Sequence, residues 1–127
     1  MALININPPP GTLIGTYEET FTDLNAAAGT VNYDFATVPA GQVWVIEGGA
    51  AWNVQRAATF IEIAIRRGGT AYAVYRGVPT AALGAVAIAN SFCLFPGDNV
   101  RIYWGGCVLN DDINGRLVGV KYGIELF

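Results

Sequence analysis

The sequence predicts an all-β protein, an antiparallel β-sandwich of jelly-roll type with about eight strands and an extended N-terminal arm. Three observations carry this. Successive short segments alternate apolar and polar residues with period two. Gly, Pro and Asn clusters punctuate them at short intervals. No segment keeps a convincing helical period. A closed barrel is the alternative closure of the same strands.

Taken in order, residues 1–16 read as an arm and residues 17–127 as the sandwich domain. Leu3, Ile4 and Ile6 are apolar, and Pro8, Pro9 and Pro10 then enforce a stiff, polyproline-like stretch. Leu13 and Ile14 complete the arm's apolar teeth. Residues 17–23 are rich in Thr and aromatics and suit a strand. Over 31–38, Val31, Tyr33 and Phe35 alternate with Asn32 and Asp34. Pro39-Ala40-Gly41 makes a turn into a strand over 42–47, and Gly48-Gly49 bends it before 50–54.

The clearest alternation is 59–67, with Ile61, Ile63 and Ile65 on one side and Phe60, Glu62, Ala64 and Arg66 on the other. Gly68-Gly69 supplies the positive φ that a tight hairpin needs, and 70–76 returns. The Ala-rich stretch 80–90 is ambiguous: alanines suit a helix, but Pro79 and Gly84 oppose one. A loop leading into a strand over 85–95 is the expectation. Residues 95–99, Phe-Pro-Gly-Asp-Asn, read as a hairpin turn into a strand over 99–104, with Val100, Ile102 and Trp104 on one face. The last strand, 115–127, is expected to point Val118, Val120, Tyr122, Ile124 and Leu126 to one side. An echo links 38–45 with 94–102, although any Pro-Gly turn before a strand produces it.

Composition narrows the function. The chain has 127 residues, 53% of them hydrophobic and only 13% charged, against roughly 25% charged in an average soluble domain. Disorder is excluded, and so little charge argues against a free-living monomer. Nucleic-acid binding needs a basic stripe, but Lys plus Arg is 7 and the net charge is -3. Only Arg66-Arg67 are adjacent, and strand alternation sends them to opposite faces. With no histidine, His-based triads and most zinc sites are ruled out. No cofactor, metal or catalytic residue is expected, because nothing pairs a base with a nucleophile. No positive n-region precedes the first apolar residues and no apolar stretch is clean enough to span a bilayer. The expectation is synthesis without export and no membrane association.

Other candidates have ordinary readings. Glu18 and Glu19 leave a strand on opposite faces and serve solubility. Asn110-Asp111-Asp112-Ile113-Asn114-Gly115 offers oxygens to a cation such as calcium, but no bidentate Glu follows, and Asx residues before Gly also make turns. In the hairpin register Cys93 faces about position 102, short of Cys107, which favours two reduced thiols, though adjacent strands could still join them. Burial raises the pKa of Cys93 and argues against a nucleophile. Tyr103 and Trp104 must face apart, one of them core; Trp44 can face either way. Trp52 and Tyr103 are the candidate glycan contacts if the rings form a binding platform. Six arginines against one lysine suit interface ion pairs.

The segments Val-Pro-Ala-Gly-Gln-Val-Trp-Val-Ile at 38–46, Ile-Ala-Ile-Arg-Arg-Gly-Gly-Thr at 63–70 and Leu-Phe-Pro-Gly-Asp at 94–98 resemble small β-sandwich structural proteins of tailed bacteriophages. The resemblance covers roughly residues 36–104. It implies a non-enzymatic virion protein on the capsid exterior, made in the host cytoplasm. The expected role is capsid decoration (cement): a homo-oligomer, trimer favoured, that binds the major capsid protein, with the arm residues Leu3, Ile4, Ile6, Pro8–Pro10, Leu13 and Ile14 lying on a neighbouring copy or on the shell. A tail-associated sandwich that grips a host glycan is the alternative.

Overall fold

A computed structural model describes residues 11–124. Nine strands run in chain order: β1 Leu13–Ala26, β2 Gly29–Asp34, β3 Gln42–Asn53, β4 Ile61–Arg67, β5 Thr70–Gly77, β6 Val86–Ala87, β7 Phe92–Leu94, β8 Asn99–Cys107 and β9 Asp111–Gly123. All pairings are antiparallel. They build two sheets, β1-β9-β3 with β6 and β7 both on the far edge of β3, and β2-β8-β4-β5.

The short strands β6 and β7 occupy one strand position, β6 against Ala50–Ala51 and β7 against Trp44–Ile46. With those two counted as one, eight strands pair as first with last, second with second-last, third with third-last and fourth with fifth. That is one long antiparallel hairpin rolled so that successive pairs alternate between sheets, the wiring of a jelly roll. The sheets share no ladder, so the closure is a sandwich. The single strand expected over 85–95 is broken because Asn90 and Ser91 lie between the two pieces. There the Tyr75 hydroxyl accepts from the Asn90 amide and donates to its carbonyl, both at 2.8 Å.

Strand signals matched their elements where alternation was clean. Ile61, Ile63, Val100, Ile102 and Trp104 are fully buried between the sheets. Gly68 and Gly69 have φ of 60° and 81°, and Arg67 pairs directly with Thr70, which makes the two-residue hairpin. The bend expected at Gly48-Gly49 is a bulge: the β3–β9 register slips between Ile46 and Gly48, which leaves Glu47 extra and exposed. Gly49 has φ 150°, and a Cβ there would sit 2.2 Å from the Arg116 carbonyl oxygen, so no side chain fits.

Two expectations are corrected and a third is given its direction. The Phe95–Asn99 turn is a corner between the sheets, not a hairpin: β7 pairs with β3, whereas β8 lies in the other sheet. Pro96 and Gly97 bend the chain either way, and the partner is chosen by tertiary packing. The turn bonds to the other Pro-Gly turn, with Val38 N–H donating to the Asp98 carbonyl and Gly97 N–H to that of Val38, both at 2.9 Å. Second, Val118, Val120 and Tyr122 do share one side of β9, and that side is the outer, half-buried one, while the core side carries Ile113, Gly115, Leu117 and Gly119. Ile124 follows the strand, and Leu126 lies outside the described residues. Third, the strand over 31–38 stops at Asp34.

The core is one cluster. Phe21 stacks on Tyr33 at 4.0 Å between ring centroids and tilts against Trp104 at 5.5 Å, which ties the two sheets together. Trp44 is turned into this core, beside Tyr17 at 4.6 Å. The arm positions Leu3, Ile4, Ile6, Pro8, Pro9 and Pro10 lie outside the described residues. Leu13 and Ile14 open β1, where Leu13 pairs with Tyr122; both are about half exposed.

Candidate functional site

No closed cavity is present among the described residues, so surfaces are what the molecule offers. Residues directly opposite in an antiparallel ladder share a face, and the registers therefore assign every side chain.

The outer face of β2-β8-β4-β5 is charged and internally neutralised. Asp34 accepts from Arg101 Nε at 2.7 Å and Nη2 at 2.8 Å, and from Arg66 Nη1 at 3.3 Å. Asn99 Nδ2 adds a fourth bond at 3.2 Å. The Arg101 fork holds the Asp34 carboxyl below its ordinary range, against a smaller opposing effect of burial. Beside it, Arg76 bonds Glu62 at 3.2 Å and lies over the Phe60 ring. Tyr103 sits here, under the Arg101 guanidinium.

The outer face of β1-β9-β3 differs. Val43, Tyr122 and Leu13 form one cross-strand row; Cys93, Val45, Val120 and Thr16 form the next; Gly48, Val118 and Glu18 form the third. Val43 is fully buried, and Val45, Cys93, Val118, Val120 and Tyr122 are half-buried. The patch spans four strands without a charge until Glu18, which bonds Arg116 at 3.1 Å. Trp52 lies further down this sheet, level with Asn114 and Thr22. Trp52 and Tyr103 thus sit on opposite outer faces, and the structure does not bring them together as a platform.

All six arginines have carboxylate partners within the chain. Arg66 and Arg67 do part to opposite faces: Arg67 reaches the buried Asp98 at 2.6 Å. Burial pushes the Asp98 carboxyl up, but Arg67 and the Phe95 N–H together outweigh it, and the net shift is downward. Glu18 and Glu19 part likewise, yet Glu19 is no mere solubilising residue. It accepts from the Tyr17 hydroxyl at 2.8 Å, the Tyr33 hydroxyl at 3.2 Å and the Ala36 N–H at 2.9 Å.

The acidic 110–115 cluster is spent on structure. Asp111 is buried and accepts from Arg56 Nε at 2.7 Å and Nη2 at 2.8 Å, from Asn53 Nδ2 at 3.0 Å and from Val108 N–H at 2.9 Å. Its carboxyl is held well below the usual range, chiefly by Arg56. A cation would have to displace that guanidinium, and no group of three ligating side chains exists among the described residues. Cys93 and Cys107 are free thiols on different sheets; burial pushes both up.

The outer valine patch was not singled out by periodicity, although a signal existed. Val43-Trp44-Val45-Ile46 is a continuous apolar run, which in a strand means that both faces are apolar.

No protein-family description matches the chain, and no curated protein does. Among solved structures it is similar to a chain from Bacillus endospore appendages, described as disulfide-linked pili. The identity is 17% over 87% of this chain and 89% of that one, with a TM-score of 0.42. It is also similar to a chain of the virus-like particle of the giant freshwater prawn Macrobrachium rosenbergii extra small virus. There the identity is 14% over 91% of this chain and 85% of the other, with a TM-score of 0.40. The class of protein that the strand wiring itself defines is a jelly-roll β-sandwich. No helix among the described residues is long and apolar enough to cross a membrane.

Proposed function

We propose that this chain is a non-enzymatic structural protein of a tailed-phage virion, a decoration protein on the capsid exterior. Copies associate, with a trimer favoured, and seat the outer valine face of β1-β9-β3 on the major capsid protein. One observation carries the reading: a half-buried apolar patch over four strands in a molecule whose arginines all have carboxylate partners within the chain. A contiguous apolar patch that is only half-buried on an outer face supports an interaction site. The apolar residues of the arm add contact on a neighbour or on the shell. Each 100 Å² of apolar surface covered contributes about 2.5 kcal/mol before ordering costs. The motifs at 38–46, 63–70 and 94–98 favour the phage setting.

The test is sedimentation velocity followed by co-sedimentation with empty shells of the phage that encodes the chain. The expected result is a trimer that saturates the shells and raises their heat tolerance. A subunit that remains monomeric at high concentration and leaves the shells bare overturns the proposal.

A further inference from the structure

The exposed aliphatic residues are distributed unevenly between the two ends of the sandwich. At one pole lie the turns 39–41, 68–69 and 96–97 and the start of β1; at the other lie the connections 27–28, 54–60, 78–85 and 108–110. Leu24, Val78, Leu83, Val108 and Leu109 all belong to the second pole, each at least 49% exposed. They are held in place. Asn110 N–H donates to the Ala26 carbonyl at 2.8 Å, which joins the 108–110 turn to the end of β1. Leu83 N–H donates to the Asn53 carbonyl at 2.9 Å, and the Asp111 carboxylate binds Asn53, Arg56 and Val108 at once. Leu83 sits at φ 65°, a left-handed conformation unfavourable for leucine, with its side chain 60% exposed. Neither the conformation nor the exposure serves the core.

We infer that this loop pole receives the apolar leading segment, Leu3–Ile6, of a second copy of the chain. The leading segment joins the sandwich at the opposite pole, where Thr12 and Gly123 exchange backbone hydrogen bonds at 3.2 and 2.8 Å. Chain length then decides whose pole it can reach. Leu13 to Leu24 is eleven residues of strand, about 36 Å at the usual rise. From Gly11 back to Leu3 is eight residues, at most about 29 Å fully extended. The segment cannot cover its own loop pole, so the contact runs between copies, head to tail. Charge agrees. At the pole Asp111 is buried and neutralised by Arg56, which leaves Asp23 and Asp112 as its uncompensated charges, whereas residues 1–17 carry no charged side chain. Such a heterologous contact closes into a ring when the rotation between copies permits, and a trimer is the three-membered case.

This inference rests on the self-association in the proposed function, and the test separates the two. Two full-length variants are made: L3D/I4D/I6D, with a defective leader, and L83D/L109D, with a defective pole. Aspartate tolerates the left-handed region at position 83 better than leucine does. Each variant alone is expected to associate at least 100-fold more weakly than the natural chain. An equimolar mixture is expected to give a one-to-one pair, because one variant retains a pole and the other a leader. A fluorescent peptide of residues 1–12 should bind L3D/I4D/I6D and not L83D/L109D, with circular dichroism showing both folded. Variants that trimerise like the natural chain sink the head-to-tail contact and leave the structural reading standing. So does a peptide that binds both equally. A natural chain that is itself monomeric sinks the head-to-tail contact, and one that also leaves the shells bare sinks both.

Discussion

On the outer side of β2-β8-β4-β5, Asp34, Glu62, Arg66, Arg76 and Arg101 bond one another and lie over Phe60 and Tyr103. On the outer side of β1-β9-β3, Val45, Val118, Val120 and Tyr122 have no such ion-pair cover and stay half-buried, around a fully buried Val43. The inner faces of the two sheets are alike, because both must fill one core. The outer faces need not be alike, and their difference shows where the molecule is complete. A charged face whose pairs are satisfied within the chain gains little from a partner, since its groups are already bonded. A flat valine face gains from any partner that removes it from water.

The largest effect that can break this comparison is on binding. Substituting V45D/V120D places two carboxylates in the second row of the apolar patch. Shell binding should weaken about 100-fold or more, equivalent to about 2.7 kcal/mol, with circular dichroism unchanged. The same pair of charges added on the other sheet, at Ala71 and Ala73, should leave binding within about threefold. Equal losses on both faces would make the two sides equivalent and remove the basis for the orientation.

How far the sequence reached follows from the same contrast. Alternation located β4 and β8 because each has a single apolar face: Ile61 and Ile63, Val100, Ile102 and Trp104 are all at 0% exposure. Gly68-Gly69 fixed its hairpin by local φ demand alone. In β9 alternation grouped Val118, Val120 and Tyr122 on one side but did not say which way that side faces. Val118, Val120 and Tyr122 outweigh Gly115, Leu117 and Gly119 in hydrophobicity, so the outer face imitates a core face. The glycines are inside because the space is already filled: a Cβ on Gly115 would meet Trp104, Ile102 and Phe35 at 3.2–3.4 Å. Partner choice at the Phe95–Asn99 corner was not legible either, since Pro-Gly bends a chain without stating which strand comes next. The loop pole was invisible for the same reason: Leu24, Leu83 and Leu109 are far apart in sequence and meet only once the strands are paired.

The next effect sharpens the comparison through acid. Asp34, Asp98 and Asp111 all titrate lower in the folded chain than in the unfolded one, mainly through Arg101, Arg67 and Arg56. A carboxyl with a depressed folded value stabilises fully above its unfolded value of about 3.9 and loses that contribution as pH falls toward the folded value. The melting temperature should therefore be flat from neutral pH down to about 5 and then fall. D111N should lower the plateau and reduce the slope, because one of the three groups no longer titrates. The valine face contains no titrating carboxyl in its first two rows, so shell binding by the protein that remains folded should persist through the same window. A melting temperature that holds constant to pH 2 would show that these arginine pairs contribute nothing measurable.

The smallest effect concerns the one ion pair on the apolar side. Arg116 and Glu18 are each more than half exposed and joined by a single 3.1 Å contact. Exposed pairs of this kind contribute about 0–1 kcal/mol. R116A should therefore change the denaturant midpoint by no more than the equivalent of about 0.5 kcal/mol. R101A should cost more, because its guanidinium makes a two-pronged bond to Asp34 and also covers Tyr103. If R116A proved the costlier of the two, stabilising charge would lie on the valine side as well, and the division of labour between the faces would have to be redrawn.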